Sequence, residues 1–437
     1  MRVTLGWMAG DTRDRRPTTI RPEVQALRAV AVAAVVLHHG WPAVAPAGYM
    51  GVDVFFVVSG FLITALLLRE VERTGRISLS GFYLRRARRI LPAAMVVLVA
   101  VSLLSVWLAP YRDWGPYFRE ILASAFYVEN WRLAIDSQTA AFADLESTPV
   151  QHFWSLSVEE QFYLGWPLLI LAALMLVRLS ARRASVPSAP RRAEVAASAA
   201  PAPRPWRIRR VLAAVLGATT LASFLGSLVL TAVDHNLAYF STLSRGWEFG
   251  VGGLLALAAA SPGFAALARY GRLRAATSWI GLALIAVPIV SFHDVEAFPG
   301  LWVLLPVVGT LAVIWAGTPS PRWSTSTLAG LRPVQWLGDV SYSLYLWHWP
   351  IFMFTPMLLG MPSPPWLMVL LVGLSLAVSW ASKRWIEDPF RRRSGPIGAH
   401  PRVIAAALTA ALVGVIAMGA VAPQVADEIC QSRRQAE

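Results

Sequence analysis

Two histidines and an arginine inside one apolar stretch are the first residues equipped for chemistry. Between Val24 and Trp41 the chain carries Arg28, His38 and His39. On a helix, a spacing of eleven residues brings Arg28 and His39 to within about 20° of one face and about 16 Å apart along the axis, with His38 about 80° off that face. An imidazole is the usual general base near neutral pH, and a guanidinium is the fork that fits phosphate. A short loop without Lys or Arg leads to Gly51-Val-Asp-Val-Phe-Phe-Val-Val-Ser-Gly-Phe-Leu-Ile-Thr64, so Asp53 enters on the side where His39 ends. A carboxylate there can orient an imidazole and raise its basicity. The run Phe82-Tyr-Leu-Arg-Arg-Ala-Arg-Arg-Ile-Leu-Pro92 supplies Arg86 and Arg89, three apart and able to face one way as a phosphate clamp. His152-Phe-Trp-Ser-Leu-Ser-Val-Glu-Glu-Gln-Phe-Tyr163 supplies Glu159 and Glu160, about 100° apart on a helix, so at most one points squarely inward. His348 lies in Ser341-Tyr-Ser-Leu-Tyr-Leu-Trp-His-Trp-Pro350, and Glu248 is a further charge in an apolar run.

Each position also has a purely structural reading. Arg28 can snorkel to headgroups while His39 closes the helix. Asp53 suits a helix start, where capping and the macrodipole favour a carboxylate. The arginine run suits an anchor on the positive side of a membrane, and His348 suits an aromatic cluster. Residue types alone leave both sets of readings open.

The elements that must position these groups are membrane spans. The 437 residues are 56% hydrophobic and only 15% charged, with a mean hydropathy of +0.53, too apolar for an ordinary soluble domain of this size. A crossing helix needs about 20 mostly apolar residues. Eleven segments approach that: 24–41, 51–68, 90–109, 157–177, 211–232, 246–260, 277–292, 301–316, 340–360, 366–382 and 403–421. Residues 121–128 are apolar but too short to cross and are expected to lie at the interface or dip into the membrane. The net charge of +14 would suggest nucleic acid in a soluble protein; here no nucleic acid partner is expected, because the charge reports topology. With the N-terminus inside, 32 of the 39 basic residues fall on the inner side and six on the outer, leaving Arg28 over within a span. The positive-inside rule therefore predicts an all-α polytopic bundle of about eleven helices in the plasma (inner) membrane, N-terminus cytoplasmic and C-terminus extracytoplasmic. Residues 1–23 form a cytoplasmic arm, 178–210 (rich in Ala, Pro and Arg) read as a disordered cytoplasmic linker, and 422–437 read as a short outer tail. A lone cysteine, Cys430, excludes a disulfide framework and a cysteine-based metal centre within one chain, and no metal site is expected. No P-loop, nucleophile elbow or zinc-helix motif is present.

Taken in order, these stretches resemble the acyltransferase-3 family of polytopic membrane proteins, over about residues 21 to 393. The likeness rests on Arg28 with ten residues before His39, the Gly51 to Ile63 stretch, the Arg86 and Arg89 pair, Trp154 to Tyr163, Ser341 to Ile351, and Glu387-Asp-Pro-Phe-Arg391. It looks closest to the O-antigen acetylase branch, whose members often append an SGNH-type domain after an eleventh span; this chain keeps the span and ends 16 residues later, so the expectation is that the second domain is not needed, is a separate SGNH-type or glycan-assembly protein acting as partner, or is missing by truncation. The resemblance implies an acyl-CoA donor, acetyl-CoA first among them, as co-substrate with no tightly bound cofactor. The acceptor it implies is a hydroxyl of a glycan or glycosylated product.

On that reading the CoA phosphates meet Arg86, Arg89 and Arg28, and the pantetheine arm runs outward to His39. Oriented by Asp53 or Glu160, His39 acts as base; His348 and Glu159 complete the candidate catalytic set. Direct transfer and an acyl-histidine relay both remain open. The rival is a flippase or transporter of a lipid-linked glycan, with His39, Asp53, Glu160 and His348 as a proton relay.

Overall fold

Pro22 at the first helical position, with its φ already helical and no N–H to leave unpaired, starts the first helix. In the computed structural model, which describes residues 21–138, 147–184, 205–267, 269–294, 297–361, 363–391 and 400–436, the chain is helical, with no strand among the described residues. The helices used below are α1 (Pro22–Gly40), α2 (Gly51–Thr74), α3 (Leu79–Leu108), α4 (Tyr111–Ala125), α5 (Glu129–Asp136), α6 (Phe153–Ala184), α7 (Pro205–Val233), α8 (Thr242–Ala259), α9 (Gly271–Ser291), α10 (Leu304–Ala316), α11 (Arg332–Leu359), α12 (Pro365–Ser382) and α13 (Pro401–Ala436).

All eleven apolar segments fall on helices. Seven stretches are long and apolar enough to cross a bilayer: Gly48–Thr74, Leu79–Leu108, Phe153–Ser180, Arg207–Val233, Gly271–Ser291, Pro365–Arg391 and Arg402–Arg433. The remaining four helices are α1, α8, α10 and α11. α10 is apolar but has only 13 residues, while α1 carries Arg28, His38 and His39, α8 carries Arg245 and Glu248, and α11 carries Asp339 and His348. Arg245, Glu248 and His348 are buried inside the bundle, as the absence of water in lipid requires. The chain is thus a multi-pass membrane protein.

α1 packs between α2 and α11, and α2 packs in turn on α8. Small residues let these four backbones touch. A Cβ on Gly338 of α11 would stand 2.2 Å from Gln25 O of α1, one on Gly51 of α2 2.3 Å from Ala31 O, and one on Gly60 of α2 1.9 Å from Phe249 O of α8. Only glycine allows such approach. Around this row, α3 and α12 pack on α11, α6 packs on α2 and α8, and α13 leans on α4 and α3.

Three boundaries differ from expectation. α3 begins at Leu79, eleven residues before the apolar segment at 90, so the arginine run occupies its first turns; Ser78 caps it by accepting from Gly81 N. The segment read as a linker is helical at both edges, since α6 runs to Ala184 and α7 starts at Pro205; the rest of it lies outside the described residues, as does the arm up to residue 20. The tail expected at 422–437 continues α13 to Ala436, because its residues are good helix formers and Pro423 is tolerated within the helix. The apolar stretch near 121–128 belongs mostly to α4, which packs against α3 and α13.

Candidate active site

A cavity of about 570 Å³ lies within the bundle. Along α2 its lining residues extend from Val52 to Glu72, twenty residues, or about 30 Å of helix. At the end where α1 begins, the walls carry Arg28, Arg86, Arg89, Lys383 and Arg391; near the other end lie Phe55, Ser155 and Tyr345.

Arg28 projects from α1, its Nη1 donating to Gln25 Oε1 at 3.0 Å. Among the described residues neither Arg28 nor Arg89 has a carboxylate at ion-pair distance. Lys383, by contrast, is neutralised by Asp339 at 3.0 Å and Asp388 at 3.3 Å. Arg86 also lines the cavity, but its charge is spent. Its Nη2 lies 3.4 Å from Glu159 Oε1 and 3.3 Å from Glu160 Oε1, and its guanidinium stacks 3.5 Å over the Tyr163 ring. Glu159 also accepts from Ser59 Oγ at 2.5 Å and from Tyr163 OH. The clamp expected of Arg86 and Arg89 is therefore divided, with Arg89 open to an anion and Arg86 serving as counterion.

That ion pair corrects the expected depth of Glu159 and Glu160. Both carboxylates hold Arg86, instead of one of them reaching His39. The reason is that α6 begins inside the bundle: Phe153 is fully buried, and Tyr83 OH on the second turn of α3 reaches Leu164 O at 2.8 Å. Residues placed on opposite faces by span counting thus meet side by side.

Asp53 also takes a partner other than the expected one. It pairs with Arg245 of α8, which holds Glu248 at 2.9 Å as well. All three side chains are buried, and the guanidinium is packed among Phe56, Tyr239 and Phe298. Sequence reasoning passed over Arg245; its signal is the i, i+3 spacing to Glu248 within an apolar run.

What holds His39 is His348. His39 Nδ1 lies 2.9 Å from His348 Nε2, with ring centroids 5.2 Å apart and nearly parallel, and Trp349 packs on His39 at 4.4 Å. The direction of this hydrogen bond follows from its neighbour. His348 Nδ1 is 2.9 Å from Leu344 O, and a carbonyl only accepts, so His348 Nδ1 carries the proton. In the neutral ring Nε2 then has the lone pair, so His39 Nδ1 must donate to it. His39 Nε2 is left unprotonated. A fixed tautomer with a free basic nitrogen is what a general base needs, and here a second imidazole plays the orienting part expected of Asp53 or Glu160. His38 is held apart, donating from Nδ1 to Ala45 O at 2.9 Å.

A third imidazole, His152, borders the pair, its ring centroid 5.9 Å from that of His348. Its Nε2 lies 3.2 Å from Leu346 O. Pro350 lacks the N–H that would otherwise claim that carbonyl four residues back. Tyr345 OH and Ser155 Oγ, 2.6 Å apart, both reach His152 O. His152, Ser155 and Tyr345 were all quoted in the sequence motifs without a role, and the signal that could have found His152 is the proline one residue after Trp349. Among the described residues no group of three or more His, Cys, Asp or Glu is placed to hold a metal ion.

Among curated proteins, the chain is similar to the peptidoglycan O-acetyltransferase OatA of Listeria monocytogenes, 29% identical over 377 residues, and to the putative peptidoglycan O-acetyltransferase YrhL of Bacillus subtilis, 28% identical over 381. A putative O-acetyltransferase of Staphylococcus aureus is 28% identical over 382 residues. These alignments cover 85% of this chain but 56%, 55% and 57% of the relatives, so the chain spans little more than half the length of the curated relatives it matches. No solved structure matches it. The family model described as an acyltransferase domain, that of acyltransferase-3, matches residues 21–384, which is most of the 437. On that match the chain belongs to the acyltransferase-3 family.

Proposed function

We propose that this protein is a membrane O-acetyltransferase that takes an acetyl group from acetyl-CoA at the cytoplasmic face and passes it to a hydroxyl of a cell-envelope glycan, such as peptidoglycan, on the outer side of the plasma membrane. The observation that carries the reading is the unprotonated Nε2 of His39, fixed by His348 and set about 16 Å of unbroken helix from Arg28. That length is about the reach of a pantetheine arm. Arg28 and Arg89, without carboxylate partners among the described residues, suit the phosphates of CoA, and the basic end of the cavity is the end that the positive-inside rule assigns to the cytoplasm.

In the transfer, the acceptor hydroxyl gives its proton to His39 Nε2 as its oxygen bonds to the thioester carbon. The carbon–sulfur bond then breaks, and the departing thiolate recovers that proton from His39. Positioning and one base suffice, since a thioester is already an activated acyl group. The imidazolium formed on the way is stabilised by the lone pair of His348 Nε2. Relatives that bear the name of peptidoglycan O-acetyltransferase support the acceptor class.

The test is transfer from radiolabelled acetyl-CoA by the purified protein, with His39→Ala beside the wild type and mass spectrometry of envelope glycans from a deletion strain. Wild-type turnover by His39→Ala overturns the mechanism. A protein that neither binds CoA nor gains thermal stability from it suits the rival flippase instead.

A further inference from the structure

His152 is the buried imidazole for which the transfer just described has no use. Because its Nε2 faces Leu346 O, which only accepts, Nε2 carries the proton and Nδ1 of the neutral ring holds a lone pair. Among the described residues that Nδ1 has no hydrogen-bond partner, although His152 is only 4% exposed. Buried polar atoms are nearly always paired, and an orphan in a site marks a place where something else supplies the partner. The missing partner must be a donor.

The surroundings say which molecule brings it. Trp349, 6.4 Å from the His152 ring, is the same indole that packs on His39. The backbone carbonyl of His152 is held by Tyr345 and Ser155, whose side chains line the cavity. His152 thus stands one side chain behind the cavity wall formed by Ser155 and Tyr345, and on its other side it borders the ring of His348. The acceptor hydroxyl has its proton committed to His39 Nε2. In the arm, the nearest donor to the thioester sulfur is the amide N–H, two methylene groups away.

We propose, resting on the acetyl-CoA reading above, that His152 Nδ1 accepts a hydrogen bond from this amide N–H and so fixes the thioester carbon against His39. The donor class it selects is the acyl thioester of an N-acylated cysteamine, the portion shared by CoA and by carrier-bound phosphopantetheine. His152 is then a binding residue that positions the reacting bond and takes no proton.

The experiment compares two small donors, S-acetyl-N-acetylcysteamine and its oxygen-ester analogue, in which the amide N–H is replaced by an oxygen that cannot donate. Wild-type protein is expected to prefer the amide by about 10-fold to 100-fold in kcat/KM. In His152→Ala that preference collapses to within about twofold, because substrate group and residue report one shared contact. His152→Asn, whose Oδ1 can stand where Nδ1 stood, restores much of it and also guards against a variant that fails to fold. Equal use of the two donors by the wild type overturns the proposal without any variant. So does a preference that survives in His152→Ala, or a loss in that variant that follows the acceptor sugar instead of the donor. Absence of transfer from acetyl-CoA itself overturns the acetyltransferase reading, and this one with it.

Discussion

The 2.9 Å contact between His39 Nδ1 and His348 Nε2 has a direction, because Leu344 O fixes the proton on the far nitrogen of His348. Removing the base and removing its orienting partner should therefore differ in degree. His39→Ala is expected to lower kcat by about 10³-fold, within the range for loss of a general base. His348→Ala leaves the base in place without its tautomer, and a fall of about 10-fold to 100-fold in kcat at nearly unchanged KM for acetyl-CoA is expected. Steady-state kinetics on purified protein measures both.

Arg28 and Arg89 make a separable prediction. If they hold the phosphates of CoA, Arg28→Ala and Arg89→Ala each raise KM for acetyl-CoA by about 10-fold, the loss of one charge-assisted contact. The same variants should use S-acetylpantetheine, which lacks the nucleotide, as well as the wild type does. An equal loss on both donors would place the arginines elsewhere in the mechanism.

Arg86 should behave differently from its neighbour three residues on. With Glu159 and Glu160 both relying on it, Arg86→Ala leaves two carboxylates without their counterion, and a loss of about 3 kcal/mol is expected. Thermal unfolding in detergent reads this as a lowered Tm. Neutralising the partners in the background of Arg86→Ala, as Glu159→Gln with Glu160→Gln, should return much of the stability.

Pro350→Ala offers a test of how the proline serves the site. It supplies an N–H that competes with His152 for Leu346 O. Helix α11 gains an internal hydrogen bond, so Tm is expected to hold or rise, while kcat/KM falls by about tenfold as His152 loosens. A parallel fall of both would mean that the proline matters only for packing.

Outside the spans, α4 and α5 bring Glu120 and Glu129 together. Burial, with Glu120 beside it, pushes the Glu129 carboxyl well above the usual carboxylate range. An unfolded chain releases this proton near pH 4.3, so the folded state binds more protons than the unfolded one from there upward. The contribution to stability is complete below the unfolded value and is lost as pH rises through the folded one. Glu129→Gln should therefore raise Tm at neutral pH and flatten its pH dependence above about pH 4; a lowered Tm at pH 7 would contradict the assignment.

The helices were legible in the sequence because apolar runs of membrane length admit few alternatives, and the alignment of Arg28 with His39 followed from helical periodicity alone. The pairings were not. Asp53 was placed near His39 by adjacency in the chain, yet its partner Arg245 lies 192 residues away. Glu160 was assigned to the outer side by counting spans, a rule that fixes which helix crosses where and is silent on how deep a helix begins. His348 was selected as a buried imidazole, but its role toward His39 depends on which carbonyl its other nitrogen meets, a detail of side-chain direction that spacing does not carry. Arg86 shows the same limit: its residue type suits phosphate, and its neighbours decide that it serves carboxylates.

The glycine contacts that join α11, α1, α2 and α8 also divide the molecule mechanically. Where carbonyls of one helix rest against the α-carbons of the next, no side chain is present to change rotamer and relax. Arg28, His39, His348 and Asp53 all ride on that slab, so the span between anion and base behaves as a gauge of set length. Compliance is left to the side where α3 meets α6 through side chains, Arg86 with Glu159 and Glu160 and Tyr83 with Leu164, and where α3 carries Arg89. Admission of a bulky nucleotide should then be a motion of those two helices against a stationary jaw, and substitutions that stiffen them should slow entry while leaving the chemical step untouched.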